Sequence, residues 1–434
     1  MRDLWLSLPA AAQDASILAA LLAPTLLLGA ALLRGYAPRP LLVGLLRRHA
    51  GINAIFVALI AASVALGTAV LSQERALREG TARAADPFDL IVAAPGSEVT
   101  AMLAAVYLQP ADMPLLDGPT YDAIATAERV RLAAPVAFGD SHEGAPVVGT
   151  TAPFVAHLAG DLAAGRPFET RAEAVAGALA PAGLGKTFSP AHGVVDPQEG
   201  AHGDLSYTVV GVMPPTGSPW DRALLVPVES VWTVHGLADG HAEADAPIGP
   251  PFDPAFFPGT PAALVVADSL GATYQLRARF TTERSMAFFP GAVLFRLHGI
   301  LGDVSRVMSA LTLATQVLVA AGVLTGLALL VRLIRERLAL LRALGAPRRF
   351  VMALCWSYAG ALIGAGTVLG LGLGWLAARA LSAALTARTE VALDPSLGWA
   401  ELHLVAGFAS AASLLAVLPA LAAASRTAAA DLRR

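Results

Sequence analysis

The chain has 434 residues, 56% of them hydrophobic and 15% charged, with a formal net charge of −3 and a mean hydropathy of +0.61. Those proportions exclude an ordinary soluble domain, and with no basic footprint a nucleic-acid partner is not expected. The lone cysteine, Cys355, lies inside an apolar run, so no intramolecular disulfide exists and any outward domain must be held by its own core.

From the N-terminus, Ala15 to Leu33 carries no charge and approaches the roughly 20 residues a helix needs to cross a bilayer core. Arg2 and Asp3 cancel, which removes the basic start of a signal peptide, and no small-x-small cleavage site leads into polar sequence. Residues 1–36 therefore read as a transmembrane helix with its N-terminus outside. Arg34, Arg39, Arg47 and Arg48 precede the next apolar run, Gly51 to Leu71, so 37–72 reads as an amphipathic segment followed by a second span.

Residues 73–305 are rich in Pro and Gly, hold most of the acidic residues and lack a stretch long enough to span. Short β-type runs occur at Phe88–Ala93, Val130–Phe138, Tyr207–Met213, Ala223–Val228, Ala262–Ala267 and Ala272–Phe280. Thr120–Glu128 and Val228–Val234 read as helices, each opened by a proline. Asp86–Gln109 reads as strand, turn and short helix, with Val106 and Leu108 as positions that cargo would pass. The whole is an α+β domain, in two lobes.

Seven histidines lie in this domain, and His235 and His241, near Glu243 and Asp245, are weak candidates for a metal. None has the tight spacing of a zinc site; solvated loop residues are the plainer reading. Ala180–Thr187, A-P-A-G-L-G-K-T, lacks the first glycine of a phosphate-binding loop, so no nucleotide site is expected. No catalytic residues emerge and the chain does not read as an enzyme.

Residues 306–434 hold three further apolar runs, Met308–Val331, Phe350–Leu376 and Leu402–Ala424, none with Asp, Glu, Lys or Arg. Arginines crowd the loop 332–349 and close the chain at Arg426, Arg433 and Arg434, which puts those segments in the cytoplasm and the α+β domain outside. Arg75, Arg78 and Arg83 oppose this rule, although Glu74 and Glu79 dilute them. Gly360, Gly364, Gly366, Gly370 and Gly374 include G-x-x-x-G pairs that allow close helix packing, within the bundle or across a dimer. Asn53 and Gln316 are nearly the only strongly polar side chains in the runs, which argues against an ion-coupled carrier.

The segment E-R-L-A-L-L-R-A-L-G-A-P-R-R-F-V at Glu336–Val351 carries a resemblance. With A-G-R-P-F at Ala164–Phe168, A-V-A-G-A-L-A at Ala174–Ala180, Y-T-V-V-G-V at Tyr207–Val212 and L-P-A-L-A-A-A-S-R at Leu418–Arg426, it resembles the FtsX-like permease family of MacB-type ABC transporters. Ala15–Leu33 has no counterpart in the four-span pattern of that family.

The resemblance implies a multi-span α-helical membrane protein with a large inserted α+β extracytoplasmic domain. It implies the bacterial inner membrane, a periplasmic α+β domain, and pairing with a cytoplasmic ABC ATPase and a second permease copy or homologue. The chain itself would bind no cofactor, with ATP and Mg used by the partner ATPase. In such systems the 332–349 loop packs on the ATPase, which makes Arg335, Glu336, Leu338, Leu341, Arg342, Leu344, Gly345 and Arg348 the coupling candidates. Leu338, Leu341 and Leu344 read as an apolar ridge, Arg335, Arg342 and Arg349 as flanking charge, and Gly345 with Pro347 as a helix stop. The implied function is export or extraction of a lipoprotein, peptide or hydrophobic compound, with a periplasmic partner or lipoprotein cargo. The alternatives are a regulator of a cell-wall hydrolase, or a metal-related transport accessory using the outer histidines.

Overall fold

The computed structural model describes residue 5 and residues 7–109, 111–192, 206–243, 246–389 and 391–425. These divide into two compact units. One comprises residues 1–76, 302–383 and 394–434, the other residues 77–301 and 384–393.

The first unit is helical. Among the described residues four helices are long and apolar enough to cross a membrane: Ala10–Leu33, Ala50–Ala85, Arg348–Ala387 and Trp399–Ser425. The run Met308–Val331 lies in the helix Pro290–Ala343, where Ala310–Gly326 is apolar; the side chains at 308, 309, 327, 330 and 331 lie outside the described residues.

Hydrophobic burial gives little drive for helix association in lipid, so close backbone approach and polar contacts carry it. The helix Ala10–Leu33 shows both. It packs along Trp399–Leu415, Thr25 and Ser410 share a hydroxyl hydrogen bond of 2.9 Å, and the His403 ring meets the Asp14 carbonyl at 2.9 Å. Gly29 lies so close to the Trp356 ring that a Cβ would come within 2.8 Å of it, and that ring is fixed by donation from Trp356 Nε1 to the Ser413 carbonyl at 2.9 Å.

Arg75 and Glu401 supply a second clasp. The carboxylate of Glu401, with no solvent exposure, lies 2.8 Å from the Arg75 guanidinium. It also accepts from Ser72 Oγ at 3.0 Å and from the Gly398 amide at 3.0 Å, at the start of its own helix. Arg75, which opposed the positive-inside reading, is thus neutralised by a partner more than three hundred residues away.

The second unit is α+β. Its strands are β1 Leu90–Ala93, β2 Val130–His142, β3 Ala145–Thr150, β4 Ala164–Gly165, β5 Glu173–Ala176, β6 Thr187–Phe188, β7 Ala191–His192, β8 Tyr207–Val212, β9 Leu224–Pro227, β10 Ala262–Ala267 and β11 Met286–Phe288. They form one mixed sheet in the order β11-β1-β10-β2-β3-β9-β5-β8-β4, with β6 on β8 and β7 on β2. The two expected lobes share β2. Val130–Val136 pairs with β10, the register shifts between Ala137 and Asp140, and the rest pairs with β3. A single apolar cluster runs beneath both halves, from Leu90 through Tyr121, Trp232 and Phe252 to Ala287.

Several strands match their sequence signals, Ala262–Ala267 to the residue. Ala272–Phe280 does not. Its alternation suggested a strand, but it lies in a helix, Leu270–Phe280, whose N-cap Ser269 accepts from the Ala272 amide. The inward residues Ala272, Thr273, Leu276 and Phe280 follow a helical stripe, and the cap, which precedes the run, sets the period.

The buried ion pair yields a prediction. Removing Arg75 strands the fully buried Glu401 carboxylate, so Arg75→Met should cost about 3 kcal/mol of stability. Arg75→Met with Glu401→Leu should cost less than Arg75→Met alone, as read by thermal unfolding of the purified full chain.

Candidate functional site

The coupling segment is the turn between two long helices. The helix Pro290–Ala343 ends at Gly345, whose φ of +101° few side chains adopt. The Ala346 amide donates to the Leu341 carbonyl and the Gly345 amide to the Arg342 carbonyl, each at 3.0 Å, the paired bonds of a Schellman termination. Pro347 follows, and its carbonyl accepts from the Phe350 amide at 2.9 Å as the helix Arg348–Thr389 begins. Gly345 and Pro347 therefore make a sharp helical hairpin with its tip at Leu344–Arg348.

The base of this hairpin is seated in its own unit. Leu338, Val351 and Leu354 are buried together, with Leu42, Leu45, Leu341, Cys355 and Ala423 packed around them. Leu42 and Leu45 come from the short helix Arg39–Arg48, whose last turn carries Arg47 and Arg48. The Tyr36 ring meets Phe350 edge-on at 5.7 Å, and Arg349 donates to the Ala31 carbonyl at 3.1 Å.

The three leucines read as one ridge do not share one environment. Leu338 is interior, Leu341 half-buried, and Leu344 78% exposed. At about 100° per residue, two steps of three turn the ridge through about 120° around the helix, enough to carry it from core to solvent. Leu340, which the ridge reading passed over, is exposed and stands one turn before Leu344; an i, i+4 search would have found the pair. Gly345 and Arg348 are exposed and Arg342 half-buried. The side chains of Arg335 and Glu336 lie outside the described residues.

The glycines also separate into two groups. A Cβ on Gly366 would lie 2.6 Å from Ile60, on Gly370 2.7 Å from the Ala61 carbonyl, and on Gly374 2.6 Å from the Ala65 carbonyl. These three, spaced by four, seat the helix Arg348–Thr389 against Ala50–Ala85. Gly360 and Gly364 have nothing within 4 Å of a Cβ and border open space.

In the α+β unit the histidines are dispersed. The His241 ring lies 3.4 Å from the buried Glu229 carboxylate, whereas His235 Nδ1 meets the Val231 carbonyl at 2.7 Å and its Nε2 lies 3.9 Å from Asp140. Among the described residues no three His, Cys, Asp or Glu side chains gather as metal ligands. Ala180–Thr187 runs into β6 and not into a helix, so it lacks the strand–loop–helix frame of a phosphate cradle.

Asp86–Gln109 forms the expected strand and helix, Leu90–Ala93 and Glu98–Tyr107, the latter capped by Ser97 accepting from the Thr100 amide at 3.2 Å. Val106 and Leu108 are buried, and Leu103 is the exposed apolar residue. Leu103 lines a cavity of about 330 Å³ with Leu77, Met102, Leu294, Leu297 and Val391. Its polar edge is Thr81, whose hydroxyl meets the His298 ring at 3.0 Å and whose carbonyl accepts from Tyr107 Oη at 2.9 Å. Burial, and then the Arg78 guanidinium, holds the His298 imidazole below the usual histidine range, favouring its neutral form at pH 7.

Residues 309–429 match the family model described as FtsX-like permease C-terminal. This stretch is similar to the C-terminal domain of FtsX-like permeases. It takes in the hairpin, all five glycines and the last apolar helix pair, so the resemblance carried by Glu336–Val351 is borne out. A search of curated proteins finds no match to the chain.

The hairpin of the FtsX-like domain gives two contrasting expectations. Leu338→Ala opens a cavity in a packed cluster and should lower stability by about 2–4 kcal/mol, whereas Leu344→Ala should change it by less than about 0.5 kcal/mol. Thermal unfolding of the two variants in the same detergent makes the comparison.

Proposed function

We propose that this chain is the permease subunit of an ABC transporter of the bacterial inner membrane, with its α+β unit in the periplasm. In this reading a separate cytoplasmic ATPase binds ATP and Mg, and the chain converts its closure into movement of the α+β unit. A second permease copy or homologue completes the pair. The observation that carries the reading is the hairpin within the FtsX-like match, a tip that exposes Leu340, Leu344 and Arg348 above a base buried in its own unit. An exposed apolar pair beside arginine, on a rigid turn, suits docking into a groove of a partner.

The residues divide by task. Leu344 and Arg348 make contact with the ATPase, Gly345 holds the angle between the two helices, and Leu338 anchors the turn to Val351 and Leu354. Motion at the tip then enters the helix Pro290–Ala343, which contributes residues to both units. The absence of Asp, Glu, Lys and Arg from the apolar runs agrees with spans that move as bodies and hold no hydrophilic solute at membrane depth.

For cargo, the cavity beneath Leu103 supports an apolar group carried on a lipoprotein, peptide or hydrophobic compound. Its lining is mostly apolar, with a neutral polar edge of Thr81, Tyr107, Gln109 and His298, the usual character of a site for an apolar ligand. A photocrosslinker at Leu103 is expected to capture cargo during turnover, and one at the buried Val106 is not. Capture of a cell-wall hydrolase at Leu103, with no cargo and no cargo-stimulated hydrolysis, would instead favour the regulatory reading.

The permease assignment is tested by co-purification with the ABC ATPase encoded nearest to the gene. Leu344→Asp with Arg348→Glu should abolish association and coupled ATP hydrolysis while leaving the unfolding temperature within a few degrees of wild type. Retention of full coupling in that variant would remove the hairpin from the interface.

A further inference from the structure

The helical unit holds a half-open cavity of about 730 Å³ between the helix Ala10–Leu33, the short helix Arg39–Arg48, the helix Arg348–Thr389 and the helix Trp399–Leu415. Its lining is of two kinds. Tyr36, Pro38 and Arg39 contribute from the segment that joins the first two helices, and the remainder is largely apolar, with Leu22, Leu33, Trp356 and Ile363 among it. A few hydroxyls interrupt that surface, among them Ser357, whose Oγ is shielded and has no hydrogen-bond partner.

Gly360 and Gly364 form part of its floor. Unlike Gly366, Gly370 and Gly374, they touch no neighbouring helix, and a Cβ on either would project into open space. Their effect is to keep the cavity empty of side chains along one turn of the helix. Trp356, fixed by its bond to the Ser413 carbonyl, makes a flat wall beside them.

Charge at the mouth is one-sided. Arg39 lines the cavity and is exposed, Arg34 is exposed five residues before it, and Arg349 is tied to the same stretch by its bond to the Ala31 carbonyl. The sequence holds no acidic residue between Asp14 and Glu74, and among the described residues neither Arg34 nor Arg39 makes an ion pair. A largely apolar cavity lined by Arg39, with Arg34 close by in the chain and neither in an ion pair, matches an amphiphile with an anionic head and an alkyl tail.

We infer that this cavity is a binding site for one anionic phospholipid, with its phosphate at Arg34 and Arg39 and an acyl chain laid over Gly360 and Gly364 against Trp356. The helix Ala10–Leu33 closes one side of the site, so it acts as a cover that retains a lipid between itself and the FtsX-like domain. The site needs only that the chain lies in a membrane, and it stands apart from the ATPase contact at Leu344.

Trp356 is a built-in reporter. The full chain in detergent is titrated with phosphatidylglycerol or phosphatidylcholine brominated in the acyl chains, and the quenching that disappears in Trp356→Phe isolates the signal of residue 356 from the other five tryptophans. Quenching of Trp356 should saturate at a mole fraction at least tenfold lower for phosphatidylglycerol than for phosphatidylcholine. Arg34→Gln and Arg39→Gln should each weaken the phosphatidylglycerol response about fivefold. Gly360→Leu with Gly364→Leu should abolish it while the other tryptophans remain quenched; if that variant fails to fold, the arginine variants decide. Equal responses to the two lipids would reduce the cavity to ordinary annular contact and overturn the inference. So would displacement of phosphatidylglycerol by millimolar inorganic phosphate, or unchanged Trp356 quenching in the glycine variant. Loss of a dimer on filling the cavity would make a second copy the occupant and overturn it equally.

Discussion

The close approach of Arg348–Thr389 to Ala50–Ala85 is the constraint on which the helical unit depends. Gly366, Gly370 and Gly374 present bare backbone to Ile60, Ala61 and Ala65, and a Cβ at any of them would fall under 3 Å from the opposing helix. In lipid, where burying leucine gains little over leaving it in hydrocarbon, such contact supplies the packing that water would otherwise enforce. Once this pair is set, the remaining contacts have a frame. Tyr358 donates to the Asn53 amide oxygen, Asn53 in turn donates to the Leu46 carbonyl at 2.9 Å, and the short helix Arg39–Arg48 is drawn toward the hairpin base. Nearer the other end of the same helix, Ser72 and Arg75 hold Glu401.

The hairpin follows from that frame. Its turn is rigid because Gly345 and Pro347 leave the backbone few alternatives, and its base is immobilised by Leu338, Val351 and Leu354. A turn fixed in this way can transmit a push without bending, which a loose positive-inside loop could not do. The exposed tip residues differ from the anchoring residues by their position around the helix, not by their chemistry, since leucines serve both.

That difference marks what the sequence made legible and what it did not. Apolar runs of about the right length disclosed the helices, because span length is set by the bilayer alone. The stop at Gly345 and Pro347 was equally plain, since both residues act locally. The allocation of Leu338 to the core and Leu344 to solvent was not, because it depends on Leu42 and Leu45 arriving from nearly three hundred residues away. The five glycines share one spacing pattern, yet three meet a helix and two border a cavity, and only the opposing surface tells them apart. In the α+β unit, strands with strong β-branched runs were readable, whereas Leu270–Phe280 carried a strand-like alternation that the Ser269 cap overrode. The pairing of Arg75 with Glu401 had no local signal at all; an arginine on the unexpected side of a span was the only hint that a carboxylate must be near.

If the hairpin docks on an ATPase, its exposed tip makes the contact and its buried base does not. Site-specific photocrosslinking from residues 344 and 338, in cells that express the chain with the nearest-encoded ABC ATPase, separates the two. An ATPase adduct is expected from position 344, dependent on Arg348, and none from position 338. An adduct from 338, or none from 344 while the two proteins still co-purify, would contradict it and move the coupling surface elsewhere on the chain.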